Sequence, residues 1–512
     1  MNREPPPESS AQKLGRRESE LRAARRANLA ALRRLGYDPF AVTRFDVSAH
    51  AAELSARYAG LAADADPPQE RYALAGRLMA IRKMGKKAIW SDLWDRSGRL
   101  QLYVREDVLG AQAFAAFDAV DVGDIVGVGG TVFRSQKGEL TLRVFSFEVL
   151  AKALAPLPDK WQGLVDVEKR YRRRYLDLIV NEEVRRTFVL RSRILAELRR
   201  FCDERGFLEC ETPTLLHLAG GALARPFRTH HNALDIELDL RIATELNLKR
   251  LIVGGLERVY EIGRIFRNEG IDRTHNPEFT MLELYAAYWS VNEMMEFNEE
   301  LFAHLVSLVG KGEQLEFGGR LLSFKRPFKR IAYFEALQRF GGLERSRLLD
   351  PAGAAEVLTE LGLPPSQTHG QALDKIFERV AEPHLVDPTF VYDYPVVISP
   401  LAKRKAGDPD VVDRYELFGA NVELSNAFTE LNDPDDQRAR FEAQALERTS
   451  GDTEVPPPDW DFVAALEYGM PPTAGIGIGV DRLVMLLTDQ HSIQDVLLFP
   501  LQRPPSHQTH SD

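Results

Sequence analysis

Apolar and polar positions along the 512-residue chain change their period several times, and each change marks an element. Residues 12–35 are polar and arginine-rich and end at Gly36, which predicts a solvated helix with a glycine stop. From Tyr72 to about Leu154 the period is two. Arg99-Leu-Gln-Leu-Tyr-Val-Arg105 alternates cleanly, and 124–133 and 140–149 read as further strands. Together with 73–83 and 88–94 they make five short strands between Gly-rich or charged turns, with a helical insert at 111–118. Five strands over so short a stretch suit a small closed barrel of the OB type, and another small β-domain would have the same composition.

The period then lengthens. After a linker rich in Pro and charge, Val184, Phe188, Ile194, Leu198 and Phe201 follow helical spacing through 183–205, and Gly206 suits the C-terminal cap. Residues 257–267 and 278–288 read as two strands around a long polar loop. A mostly helical insertion is predicted over 292–390, broken by Pro and Gly, followed by strands at 391–399, 412–418 and 421–428. A helix starts at Pro434, with Asp433 as its cap. Strands and helices mix without βαβ regularity, so the fold class is α+β. The expected organisation is an N-terminal helical segment (1–71), the barrel (72–154), a linker (155–182), a large second domain (183–504) and a disordered tail (505–512).

Composition narrows the classes. Two cysteines cannot make a disulfide framework, and neither sits in a zinc-type spacing, which suits a reducing cytoplasm. Aliphatic runs of about five residues fall far short of the roughly 18 needed to span a bilayer, and the polar N-terminus carries no signal-peptide core. The net charge of −10 argues against nucleic-acid binding when taken alone. It hides an asymmetry: 23 Lys and Arg against 19 Asp and Glu in residues 1–150, and 43 against 57 in the remainder. A mildly basic front joined to an acidic body suggests two tasks, one of them at a phosphate backbone; a solvated basic helix would give the same excess.

The chemistry concentrates late in the chain. A Walker loop is absent, since Gly310-Lys311 is followed by Gly312, and Gly475-Ile-Gly-Ile-Gly-Val-Asp-Arg482 has Val480 where a dinucleotide loop needs its third glycine. Residues 414–424 read as a hairpin with Gly419-Ala420 at its tip, which pairs Phe418 with Asn421 and sets Glu416 opposite Glu423. Facing carboxylates repel and ask for a cation, and oxygen ligands without Cys or His suit Mg²⁺ with phosphates; two solvated edge glutamates would read the same way. In the 266–285 stretch, arginine offers a fork for phosphoryl oxygen and Phe279 a platform for a base. Glu283 and Tyr285 share one strand face, either solvent or pocket. Glu245, Glu269, Glu283, Glu416, Glu423 and Glu430 in one pocket would hold too much negative charge to be stable empty; a dibasic ligand with a metal would neutralise it.

Three separated stretches carry a resemblance: the helix ending in Gly206-Phe-Leu-Glu-Cys-Glu-Thr-Pro213, then Phe266-Arg-Asn-Glu269 with His275-Asn-Pro-Glu-Phe279, and last Gly475–Arg482. With the barrel, and with Ala219-Gly-Gly-Ala222, Ala224-Arg-Pro-Phe227, Thr229-His-His-Asn-Ala-Leu234 and Glu430-Leu-Asn-Asp433, the chain resembles the class II lysyl-tRNA synthetases of bacterial type from about residue 14 to 504. The resemblance implies a six- to seven-stranded antiparallel sheet flanked by helices and ATP bound in a bent form. Arg267 would hold the α-phosphate and Arg482 the γ-phosphate, as the catalytic pair. Glu269, His275 and Asn276 would edge the nucleotide, with Phe279 stacked on adenine and Glu416 and Glu423 holding Mg²⁺. Gly221 and Glu245 match positions for the α-amino end of lysine; Glu283, Tyr285, Asn426 and Glu430 match those around its ε-ammonium. In the barrel, Arg82, Trp90, Gln101 and Glu139 fall at or near anticodon-contacting positions.

Four positions depart from the family pattern: Trp90 for Phe, Trp94 for Gln, and Thr244 and Asn247 for Pro and Tyr in what reads as a strand beside Glu245. The adjacent His230 and His231 read as structural. The implied partners are lysine tRNA, ATP, L-lysine and a second copy of the chain through the 183–205 helix, with no membrane. An aspartate or asparagine relative would need a basic residue where Glu283 and Glu430 stand. A non-catalytic RNA-binding descendant would be expected to lose Arg267, Arg482 or a metal position, and a relative that modifies proteins with lysine would lack the barrel.

Overall fold

The structure, a computed structural model, describes residues 10–158, 164–222, 224–310, 312–449 and 457–504. The tail 505–512 and Lys311 lie outside the described residues. The chain forms two compact units, Met1–Val165 and Asp166–Asp512. No helix among the described residues is long and apolar enough to cross a membrane.

In the first unit, α1 (Ser10–Arg34) and α2 (Ala51–Arg57) precede β1 (Arg71–Met84), β2 (Ala88–Trp94) and β3 (Arg99–Arg105). They are followed by α3 (Ala111–Asp118), β4 (Ile125–Arg134) and β5 (Leu140–Ala151). The strands close in the order β1-β2-β3-β5-β4 as a five-stranded barrel. Period-two alternation sends Ile89, Leu93, Leu100, Leu102 and Val104 inward, where all are buried, together with Leu32 of α1 and Leu54 of α2. The alternate residues Trp90, Asp92, Gln101 and Tyr103 form the outer face, with Arg82↔Trp90, Trp90↔Tyr103 and Asp92↔Gln101 in register.

The second unit is built on a sheet of nine strands. In chain order its relevant elements are α4 (Glu182–Asp203), β6 (Leu208–Glu209), α5 (Glu245–Val253), β7 (Arg258–Phe266), β8 (Glu278–Ala287) and α6 (Val291–Val309). Next come β9 (Lys329–Ala332), α7 (His369–Val380), β10 (Thr389–Pro395), β11 (Arg404–Lys405), β12 (Asp408–Gly419) and β13 (Val422–Thr429). The series ends with α8 (Pro434–Thr449), β14 (Thr473–Gly479) and α9 (Val480–Leu487). Strand order is β9-β10-β12-β13-β14-β8-β7-β6, with β11 beside β12. The β6–β7 and β9–β10 pairs are parallel, so the sheet is larger than the six to seven antiparallel strands implied by resemblance, and mixed at its edges.

Local signals explain several boundaries. Gly206 ends α4 at φ +75°, its N–H bonding to Asp203 and that of Phe207 to Cys202 O at 3.2 Å, a glycine C-cap. Asp433 caps α8, accepting from the backbone N–H of Asp435 and Asp436. The 292–390 stretch carries helices over most of its length, and it also holds a small hairpin (Gln314–Phe317 with Arg320–Ser323) and β9, an edge strand of the main sheet; four-residue strands are too short to show a period. One expectation fails. The residues at Glu245 are not a strand: Thr244 precedes α5, and Asn247 sits in its first turn.

The sheet's two faces divide packing from chemistry. Tyr260, Leu282, Leu284, Ala286, Leu417, Ala427, Ile476 and Ile478 join apolar residues of α4, α6 and α9 in the main core. Their alternates point to the other side: Glu283 and Tyr285 of β8, Arg414 and Glu416 of β12, Asn426 of β13, and Gly475 and Gly477 of β14 all line one cavity. Glutamates inside a strand are explained by this face, which is a pocket rather than open solvent: Glu283 is 4% exposed.

Candidate active site

The cavity has a volume of about 480 Å³. Its walls include Gly221, Glu245, Arg267, Glu269, His275, Asn276, Phe279, Glu283, Tyr285, Glu416, Glu423, Asn426 and Arg482. Of the candidates in this unit, Glu430 alone is not among the lining residues; it is fully buried beside them.

Arg267 follows β7, its N–H bonded to Pro277 O at 2.9 Å and its Nε to Ile242 O at 3.3 Å. The guanidinium centre lies 5.2 Å from the Phe279 ring centroid. Burial draws its pKa below the ordinary arginine value, while Glu269, Glu283 and Glu423 oppose that. Arg482, in the first turn of α9, donates to the Glu423 carboxylate at 3.1 Å and stands 3.2 Å from His275 Nε2. Asn276 is buried, with its side-chain oxygen unpartnered among the described residues. Asp481, unremarked in the sequence, accepts from Thr280 N–H at 2.7 Å and pairs with Arg191 of α4 at 2.6 Å. It thereby ties the start of α9 to β8 and α4.

The carboxylate hairpin differs from expectation in register. Ala420 and Asn421 are the turn residues, both left-handed at φ 55° and 63°, as a type I′ turn requires. Gly419 pairs with Val422, Phe418 with Glu423, and Glu416 with Asn426, across a bulge. Glu416 and Glu423 are therefore not directly opposed, although both reach the cavity. Asn421, a residue tolerant of the left-handed region, was the available signal for this turn. Glu416 accepts from Tyr394 Oη at 2.8 Å and Arg414 Nη2 at 2.5 Å. Burial lifts its carboxyl to about 7, against Arg414 and with Glu423 adding. Arg414 also donates to Asn426 Oδ1 at 3.0 Å, clamping the two strands. Its place two residues before Glu416 on the same face was legible by period; its role was not.

At the opposite end, Glu283 accepts from Thr244 N–H at 3.0 Å and from Tyr285 Oη at 3.3 Å. Burial raises Glu283 to about 7; the Thr244 bond opposes this and Glu245 adds to it. Glu245 opens α5, and Lys249, one turn on, donates to it at 2.6 Å and pairs with Glu430. Reading this region as a strand hid the i,i+4 pair.

On the barrel, Arg82 forks onto Asp92 at 3.0 and 3.2 Å, and Gln101 donates to Glu139 at 2.6 Å. Trp90 stacks on Tyr103 at 4.3 Å between centroids. The four barrel candidates thus share one outer face, with Trp94 on the same side and its indole N–H buried without a partner among the described residues. His230, paired with Glu237 at 2.8 Å, and His231 lie on an exposed hairpin and are not among the cavity's lining residues.

Residues 166–503 match the family model of class II tRNA synthetases (D, K and N), and residues 72–150 match that of OB-fold nucleic acid binding domains. Among curated relatives, a lysine–tRNA ligase of Moorella thermoacetica is 51% identical over 489 residues, covering 95% of this chain and 98% of the relative. One of Anaeromyxobacter is 50% identical over 510 residues, covering 96% and 99%. One of Aquifex aeolicus is 52% identical over 445 residues, covering 86% and 74%. With the second and third signature stretches gathered on one cavity, the first at the edge of the same sheet and a closed five-stranded barrel ahead of them in the chain, the chain belongs to the class II tRNA synthetases (D, K and N).

Proposed function

We infer that the chain is a lysine–tRNA ligase, which joins lysine to its tRNA at the expense of ATP. The observation that carries the specificity is the buried carboxylate of Glu283 facing the cavity beside Glu245, with no ion pair among the described residues to neutralise it. Such a wall selects a cationic side chain, because an uncharged analogue would leave a buried carboxylate unpaired. In this reading Gly221 and Glu245 take the α-amino group; Glu283, Tyr285, Asn426 and Glu430 surround the ε-ammonium. Gly475 has no side chain to stand between Glu430 and the cavity.

The lysine carboxylate then faces Arg267 and attacks the α-phosphorus of ATP, whose adenine stacks on Phe279. Its oxygen forms the mixed anhydride as the bond to pyrophosphate breaks, with Arg482 at the γ-phosphate and Glu269, His275 and Asn276 at the nucleotide's edge. A ribose hydroxyl of the tRNA 3′ end next attacks the anhydride carbonyl, and AMP leaves. No side chain need serve as nucleophile, since the carboxylate already is one; the protein supplies position and charge.

Glu416 and Glu423 fit a hard divalent cation as all-oxygen donors on one wall. No group of three or more His, Cys, Asp or Glu able to hold a metal occurs among the described residues, so phosphate oxygens would complete the set. Mg²⁺ held there would screen the phosphate charge. The same reading includes a homodimer through α4 and β6, where Val189 and Leu208 are exposed, and work in the cytoplasm.

The test is ATP–pyrophosphate exchange without tRNA, with lysine, asparagine, aspartate and arginine in parallel. Exchange with lysine alone is expected. None with any of the four, from protein that binds ATP, would replace this reading with an RNA-binding descendant.

Two smaller effects should accompany it. Because Glu283 titrates near 7 and must be ionised to hold an ammonium, the KM for lysine should rise on acidification below that value, by up to about tenfold per pH unit. The ligand's ammonium groups stay charged throughout, so a flat profile from pH ~5.5 to ~8 would contradict the role given to Glu283. Trp90→Ala removes a stacking face worth about 1–3 kcal/mol per base, and should raise the tRNA KM in aminoacylation by about tenfold. Its effect on tRNA-independent exchange should be much smaller; equal effects on both would remove Trp90 from the tRNA surface.

A further inference from the structure

Lys249 is fully buried, and it is not among the residues lining the cavity. It lies one helical turn after Glu245, on the same face of α5. Its Nζ stands 2.6 Å from Glu245 Oε1, pairs with Glu430 and lies 5.3 Å from the Phe428 ring centroid. Burial alone would pull its pKa down; Glu245 and Glu430 overcome this and leave it raised, so the ammonium stays charged.

The lysine end of the cavity thus holds three carboxylates, Glu245, Glu283 and Glu430, and one built-in ammonium. With all three ionised two negative charges remain; burial pushes Glu283 and Glu430 up, so entering cations are what hold them in that form. Free lysine presents two ammonium groups, and its carboxylate turns toward Arg267. We propose that Lys249 is a positioning residue for the amino acid, holding Glu245 and Glu430 in place and cancelling one of three charges so that the pocket demands two cationic groups. This rests on the lysine reading above.

Without Lys249, Glu245 and Glu430 are two buried carboxylates with no counter-ion, which must take up a proton or turn away. Either change removes ground-state binding of lysine more than it alters the transition state. K249M, which keeps most of the side-chain volume, should raise the lysine KM at least tenfold, with kcat at saturating lysine within threefold of wild type and the ATP KM unchanged. K249A leaves a space the size of n-propylamine. Added n-propylamine should lower the lysine KM of K249A at least fivefold, and the isosteric 1-propanol should not.

A wild-type lysine KM in K249M, or equal rescue by amine and alcohol, would overturn the proposal, since Lys249 would then be packing alone. Should K249M fail to fold, K249M/E430Q removes the more deeply buried of the two stranded charges and is expected to fold; failure of the double variant also assigns Lys249 to the core and overturns the proposal. Wild-type exchange measured alongside separates the two readings. Its absence with lysine defeats the function itself, whereas normal wild-type exchange with an unaltered K249M defeats only the role of Lys249.

Discussion

Arg267→Ala should lower lysine-dependent pyrophosphate exchange by about 10³-fold, close to 4 kcal/mol of transition-state stabilisation. The guanidinium sits half-buried in the cavity wall, where a charge acts through a lower dielectric than water and is worth correspondingly more. Its backbone is anchored to Pro277 and its Nε to Ile242, which leaves the rest of the fork free to meet phosphoryl oxygen. Arg482, engaged with Glu423 and near His275, is assigned by the proposed function to the far end of the triphosphate and is not expected to take its place. Arg267→Lys keeps the charge but loses the planar fork, so its activity should fall between wild type and the alanine variant. The rates come from exchange assays at saturating ATP, with melting temperatures to exclude misfolding. Exchange above about a tenth of wild type in the alanine variant would mean that Arg267 does not stabilise the charge that develops at the α-phosphorus.

Gly475→Ala should cost at least about 10²-fold in kcat/KM for lysine while ATP still binds. An ideal Cβ at this position would lie 2.2 Å from Glu430 Oε1 and 2.4 Å from Tyr285 Cε1. The backbone itself is not in the left-handed region, so the strain arises from collision and not from φ. Gly475 pairs with Tyr285 on one side and Phe428 on the other, and neither neighbour can withdraw without breaking a ladder in the middle of the sheet. Overpacking of this kind costs about 1–3 kcal/mol in a core; here the displaced groups are those proposed to hold the ε-ammonium. Gly477→Ala is the comparison. Its Cβ would meet Met281 Cε at 3.0 Å, the free end of a flexible chain, and a loss within about fivefold is expected. Similar losses at the two positions would show that the strand, and not the lysine end of the cavity, is being disturbed.

Much of the architecture was legible because it rests on local periodicity. Alternation over 72–154 gives five strands with one buried face because inward and outward residues differ in kind, while closure into a barrel was only one of the domains that pattern allowed; the stripe of α4 with its glycine stop needs no tertiary information. The same alternation in β8 puts Glu283 and Tyr285 on one face and Leu282 and Leu284 on the other, but leaves the first as either solvent or pocket; the fold makes it the pocket. Short elements escaped. β9 has four residues, and the first turn of α5 begins with Thr-Glu-Leu-Asn, a stretch too brief for its period to be read, so the Glu245–Lys249 pair went unseen.

The sequence by itself determined the α+β class, the five strands of the barrel, which residue types carry the chemistry and, through three separated motifs, the family. Only the tertiary structure decided the hairpin's register. Turn choice and bulge depend on which side chains the core accepts, and Leu417 goes to the core while Glu416 and Glu423 reach the cavity. It also decided which buried charges meet: Arg414 with Glu416 and Asn426, Asp481 with Arg191, Lys249 with Glu430. Partners such as Asp481 and Arg191 stand hundreds of residues apart in the chain, and even the neighbours among them are joined by burial, which no local pattern encodes because the cost of an unpaired charge is set by the dielectric around it.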